Sequence, residues 1–155
     1  MAAIPDFMIG DFQMETSEGF DDYMYELGVN IFTRKIGNSL YPLQQIRQKD
    51  GEVTLETLTS FKNTKITFKL GEAFEEYTAD GRYAQTVTTV EGDKLIKVQT
   101  PDPSTGYHTT KEVREFKDNG KEMILHLSIP AKPEIVCKRF YKRVEPTQAE
   151  ETATE

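Results

Sequence analysis

The sequence predicts an all-β fold. Ten strands form an antiparallel up-and-down meander, barrel or sandwich, with one helical pair between the first strand and the second. Three observations carry this. From Leu40 onward, short apolar-alternating runs recur between turn signals at intervals of about eight to twelve residues, the spacing of sandwiches and barrels. Asp50-Gly51, Asp80-Gly81 and Asn119-Gly120 are hairpin dipeptides, which makes sequential strands antiparallel neighbours. Helical periodicity is confined to the stretch between Ser17 and Asn38.

Met1–Asp6 reads as a loose lead and Phe7–Thr16 as the first strand, in which Gly10 marks a bend or bulge. Ser17-Glu18-Gly19 opens a helix whose Phe20, Tyr23, Met24 and Leu27 recur at helical spacing up to Gly28. A second short helix runs from Val29 to about Ile36, with Gly37-Asn38 as its stop. Strands follow near Leu40–Gln48, Glu52–Thr59, Lys65–Leu70, Ala73–Ala79, Arg82–Val90, Lys94–Thr100, Tyr107–Phe116, Glu122–Ser128 and Glu134–Val144. Alternation turns Ile66 and Phe68 inward on one of them. On another it turns Met123, Leu125 and Leu127 inward and leaves His126 facing solvent.

A chain of 155 residues fits one domain, and nine Phe with seven Tyr suffice to fill or line its core. That domain is expected to span 1–144. The stretch from Pro146 to Glu155 carries no large apolar residue, so 145–155 is expected to be a disordered acidic tail. The net charge of −7 falls to −3 once the four tail acids are set aside. Nothing here attracts a phosphate backbone. The helical pair is no DNA reader either, because Asp21, Asp22 and Glu26 outnumber Arg34 and Lys35.

Cys137 has no internal disulfide partner, and its place in a strand marks a small buried hydrophobe in a reducing compartment. The N-terminus has neither the basic nor the apolar region of a secretory signal, and no apolar run is long enough to span a membrane. A cytoplasmic protein is the expectation. His108 and His126 read as surface residues on different strands, and no metal site is expected.

The chemistry centres on Cys137-Lys138-Arg139-Phe140-Tyr141. In a strand, Arg139 and Tyr141 share one face, while Lys138, Phe140 and Lys142 share the other. Aimed into a closed barrel, the pair is a cationic fork and a hydroxyl donor for a carboxylate. Aimed elsewhere, it is an ordinary ion-pairing surface. The chain has no Gly-rich phosphate loop, GxSxG elbow, HExxH or CxxC, and its carboxylates read as outward-facing or turn residues. A protein that holds something, and is not an enzyme, is the expectation.

Several segments resemble the cytosolic fatty-acid-binding proteins. They include Gly19-Phe20-Asp21-Asp22-Tyr23-Met24 with Thr33-Arg34-Lys35, and Thr59-Ser60-Phe61-Lys62-Asn63-Thr64 with Phe74-Glu75-Glu76-Tyr77-Thr78-Ala79-Asp80. Val113-Arg114-Glu115 and Arg139-Phe140-Tyr141 complete the likeness, which covers about residues 7 to 144. The resemblance implies a ten-stranded flattened barrel, capped by the two helices, around one long-chain fatty acid. No cofactor is implied.

By that resemblance the carboxylate is held by Arg139 and Tyr141, with Arg114 contributing directly or through water. Phe20, Tyr23, Met24, Pro42, Thr57, Thr59, Ile66, Phe68, Met123, Leu125 and Cys137 would line the cavity. Val29, Thr33, Phe61, Ala79 and Asp80 would form a portal. Delivery to membranes, enzymes or a nuclear receptor by a monomeric carrier is implied too, with Arg34 and Lys35 placed to touch anionic lipid and a nuclear location besides the cytoplasm. The rivals are a carrier of retinoic acid or another carboxylated hydrophobic ligand, and a scaffold that interacts without ligand.

Four departures stand out. Phe12 occupies the place of a usual tryptophan, and Tyr25 that of a usual basic residue. Ile129-Pro130-Ala131-Lys132-Pro133 extends the last hairpin, as a tolerated insertion or an added contact surface. Glu112 shares a face with Arg114, and turned inward it would pair with Arg114 and leave Arg139 and Tyr141 as the anchor.

Overall fold

A computed structural model describes residues 3–146. Its strands are β1 (Gly10–Glu18), β2 (Leu43–Lys49), β3 (Glu52–Leu58), β4 (Thr64–Phe68), β5 (Phe74–Tyr77), β6 (Tyr83–Glu91), β7 (Lys94–Pro101), β8 (Thr110–Lys117), β9 (Glu122–Ser128) and β10 (Cys137–Val144). Two helices, α1 (Phe20–Glu26) and α2 (Ile31–Ser39), lie between β1 and β2. All ten strands form one antiparallel sheet in the order β4-β3-β2-β1-β10-β9-β8-β7-β6-β5. Pairing of β1 with β10 closes the meander into a nearly complete barrel, with β4 and β5 as its two edges. Across that seam, Phe68 and Phe74 stack with ring centroids 5.5 Å apart.

The meander, the helical pair and the inward alternation of Met123, Leu125 and Leu127 stand as the sequence predicts. The boundaries need correction. The lead is not loose: the Ile4 N–H donates to Gln48 Oε1 at 2.8 Å, its side chain is buried, and Asp6–Met8 forms a 3₁₀ turn ahead of β1. Arg143 holds that lead in place, donating to the carbonyls of Phe7, Ile9 and Gly120 at 2.7 to 2.8 Å while lying over the Phe12 ring. Gly10 allows this approach, because a Cβ there would collide with the guanidinium. The bulge falls instead at Glu15, where the register with β10 shifts between Met14 and Thr16.

Ser17 and Glu18 stay in β1, and Gly19, in the left-handed region against the Val136 carbonyl, makes the turn into α1. The second helix begins at Ile31, after Asn30 caps it by accepting from the Thr33 N–H at 2.9 Å. It runs through Gly37-Asn38 to Ser39. A Cβ at Gly37 would come within 3.0 Å of Met24 Sδ, so this glycine sets the helix contact and ends nothing. The second strand starts at Leu43, the eighth at Thr110 and the tenth at Cys137, each three residues later than the sequence suggests. The segment ahead of β10 folds back on the barrel, with Ile129 fully buried and Lys132 Nζ 3.8 Å from Glu26 Oε1. Of the expected tail, 147–155 lies outside the described residues.

Candidate functional site

Register ranks the inward side chains of the last strands in layers. Nearest the helices, Lys97 faces Glu112, Glu112 faces Leu127 and Leu127 faces Cys137. The next layer is Leu95, Arg114, Leu125 and Arg139. Toward the opposite end come Phe116, Met123, Tyr141 and Met14, packed with Phe12 as a floor.

Between floor and helices lies a cavity of about 310 Å³, at the lower end of the range for ligand sites. Phe20, Tyr23, Met24, Pro42, Thr57, Thr59, Ile66 and Leu125 stand in its wall, and so do Val29, Thr33, Phe61, Ala79 and Asp80 at its mouth. Phe68, Met123, Cys137 and Tyr141 do not. They are buried behind the wall, where the Phe68 ring turns to the seam, Met123 and Tyr141 belong to the floor, and the short Cys137 side chain stops below the surface. Burial pushes the Cys137 thiol up to about 11, against the pull of Arg139, which leaves it protonated and inert at neutral pH. Burial likewise raises the Tyr23 and Tyr141 phenols, so both stay protonated and able to donate.

The other wall is polar and charged. Glu76 accepts from Lys97 Nζ at 2.9 Å, from Gln99 Nε2 at 2.9 Å and from Thr86 Oγ1 at 3.0 Å. Lys97 Nζ also lies 3.4 Å from Glu112 Oε1, which in turn stands 3.3 Å from Arg114 Nη1. Arg114 Nε donates to Gln44 Oε1 at 3.0 Å. Burial alone would raise the Glu112 carboxyl, but the Lys97 ammonium and the Arg114 guanidinium hold it below the usual carboxylate value.

The carboxylates are therefore not all outward or in turns: Glu76 is buried and Glu112 lines the cavity, which corrects the sequence reading. That reading also missed Gln44, Lys97 and Gln99. In β7 the alternation gives two apolar faces, Leu95 inward and Ile96 with Val98 on the other side, so hydrophobicity alone cannot say that Lys97 and Gln99 point in.

Charge bookkeeping isolates one residue. Glu76 and Glu112 balance Lys97 and Arg114, and at the mouth Asp80 balances Arg82, with Arg82 Nε 2.6 Å from Asp80 Oδ2. Arg139 makes no ion pair among the described residues. The residue is 7% exposed, its guanidinium lies 3.8 Å from the Phe20 ring centroid, and its buried Nε has no hydrogen-bond partner. A buried guanidinium in that condition calls for an anion or water.

Residues outside the cavity also settle into partnerships. Arg34, expected to meet lipid, is held by Asp21 at 3.1 Å and lies over the Tyr25 ring. The half-buried His108 and His126 each stand 3.2 Å from a glutamate oxygen, of Glu26 and Glu115. Among the described residues, no group of His, Cys, Asp and Glu is placed to hold a metal, and no helix is long and apolar enough to cross a membrane.

Known proteins share this fold. Residues 9–143 match the family model described as the lipocalin / cytosolic fatty-acid binding protein family. Sodium/calcium exchanger regulatory protein 1 of Doryteuthis pealeii is 36% identical over 138 residues, 89% of this chain and 97% of the relative. Among solved structures, a fatty-acid-binding protein from brain tissue of Drosophila melanogaster is 40% identical, covering 87% of this chain and 98% of its own, with a TM-score of 0.77. The Schistosoma mansoni fatty acid binding protein in complex with arachidonic acid is 33% identical, covering 90% and 98%, with a TM-score of 0.80. With the family model spanning nearly all of the barrel, this chain belongs to the lipocalin / cytosolic fatty-acid-binding protein family.

Proposed function

We propose that the protein is a carrier that takes one long-chain fatty acid into the barrel, with its carboxylate on Arg139. The surplus positive charge of Arg139 carries this reading. Every other buried charge in the cavity wall has a partner of opposite sign, so a monoanion brings the interior to neutrality. A guanidinium stays charged at any cellular pH and offers a carboxylate paired donors. In this reading Tyr141, packed in the floor, stays out of the ligand's first contacts, and Arg114 is a secondary contact drawn toward Glu112.

The acyl chain lies against the apolar wall of Phe20, Tyr23, Met24, Pro42 and Ile66. Each buried methylene contributes about 0.8 kcal/mol, so a chain of about sixteen carbons gives on the order of 12 kcal/mol gross. Lost ligand freedom offsets much of that, which leaves micromolar to nanomolar binding. Val29, Thr33, Phe61, Ala79 and Asp80 frame the entry. Phe32, 76% exposed, and Phe61, 62% exposed, give this end an apolar surface for transient contact with an acceptor membrane or protein.

Displacement of a fluorescent fatty acid tests the reading. Arg139→Leu, with the fold checked by circular dichroism, should weaken binding by about tenfold to a hundredfold. Unchanged affinity would sink the assignment, and mass spectrometry of the co-purifying ligand reports its class directly.

A further inference from the structure

A second cleft, of about 580 Å³, shares none of the mouth residues Val29, Thr33, Phe61, Ala79 and Asp80. It lies between the end of β1, the start of α1 and the link from α2 to β2. Phe20, Leu40 and Arg139 line both this cleft and the ligand cavity, so one wall serves the two spaces.

The cleft is acidic by construction. The register shift in β1 makes Glu15 the extra residue against β10, and the bulge presents it to the cleft. Its nearest cation, Lys142 Nζ, is 3.8 Å away, with both side chains more than half exposed. Asp21 is fixed in place, accepting from Asn38 Nδ2 at 2.9 Å and from Arg34 Nε at 3.1 Å. The exposed Asp22 makes no ion pair among the described residues. Tyr41 adds an exposed ring, and its carbonyl is tied to β1 by Gln13 Nε2 at 2.9 Å.

These groups fit a lysine or arginine side chain of another protein. The carboxylates supply the opposite charge, and the tyrosine supplies a face on which a cationic side chain packs. A phosphate-bearing surface is opposed by the same carboxylates.

Arg139 makes the fit conditional. It is buried, unpaired and part of the cleft wall, so its positive charge opposes a cation there while the barrel is empty. A carboxylate that reaches Arg139 from the cavity cancels this charge and leaves the cleft acids in excess. The effect is reciprocal: the cleft acids oppose an incoming carboxylate, and a docked cation relieves that opposition.

Resting on the carrier reading above, we infer that the cleft beside α1 docks a basic segment of a partner protein, and docks it more tightly when the barrel holds a fatty acid.

Fluorescence anisotropy of labelled pentalysine tests this on the purified full-length chain, with and without oleic acid, at low ionic strength where exposed charges are little screened. Pentalysine should bind the loaded protein about fivefold more tightly than the empty one, and saturating pentalysine should tighten oleic acid binding by the same factor. The paired change Glu15→Gln with Asp22→Asn, at two exposed positions, should abolish the difference. Folded Arg139→Leu without ligand should bind pentalysine as tightly as the loaded wild type. Equal affinity of the empty and loaded wild type, with oleic acid bound, overturns the coupling and leaves the carrier reading standing. Failure to bind oleic acid overturns both. A difference that survives the paired change places the peptide elsewhere on the chain and overturns the cleft. Absence of pentalysine binding to either form overturns it too, as does attachment to phosphatidylglycerol vesicles that the paired change abolishes.

Discussion

Arg114 and Arg139 carry the same charge and flank the same leucine, yet Glu112 answers one and nothing among the described residues answers the other. Arg139→Ala should therefore lower fatty-acid affinity at least about tenfold more than Arg114→Ala, and equal losses in a displacement assay would show that Glu112 does not neutralise its neighbour. Glu112 makes a second prediction through pH. Its carboxyl is held below its ordinary value of 4.5, so its stabilising contribution is complete above that value and is lost as pH falls through the lower, folded value. The stability gap between the wild type and Glu112→Gln, read from urea midpoints, should shrink steadily as pH drops below 4.5. A gap that stays constant or widens contradicts the pairing. Cys137, with its thiol pushed up to about 11, should resist alkylation at pH 8 until the chain unfolds. At this scale the sequence shows which residues share a face, because the period of a strand is fixed. It does not show that Glu112 Oε1 is shared between Lys97 and Arg114, since Lys97 sits among apolar residues of both faces.

At the scale of elements, α2 is the least anchored piece. None of its residues is buried, and its start depends on Asn30 accepting from the Thr33 N–H. Loss of this cap, as in Asn30→Ala, should cost the helix about 1 kcal/mol and show as faster amide exchange confined to residues 31–39, with the barrel strands unchanged. Exchange that rises equally in α2 and the strands would mean that the helix unfolds only with the whole protein. The helix boundaries also mark where a local signal has two meanings. Gly37-Asn38 reads as a stop because glycine often ends helices, but here the missing side chain lets α2 approach Met24. Gly10 is similar, a bend by sequence and a berth for the Arg143 guanidinium in the fold. Both depend on a contact with a distant segment, which no local window contains.

For the whole molecule, ligand binding is coupled to folding. A fatty acid at about a hundred times its Kd should add about 2.7 kcal/mol of stability, raising Tm by roughly 5 to 10 °C for a chain of this size. A melting curve that ignores ligand would speak against binding inside the barrel. The architecture was legible because hairpin dipeptides and strand alternation are local. The apolar wall is named through the family resemblance and not through the architecture, and Phe68, Met123, Cys137 and Tyr141 show that facing inward is not the same as reaching the cavity. Between β4 and β5, the seam is bridged by two stacked rings, in a sheet otherwise continuous in hydrogen bonds. A cylinder closed all round by backbone bonds has a fixed girth. One that is slit along its length and pinned by two stacked rings can widen or narrow with no backbone bond broken.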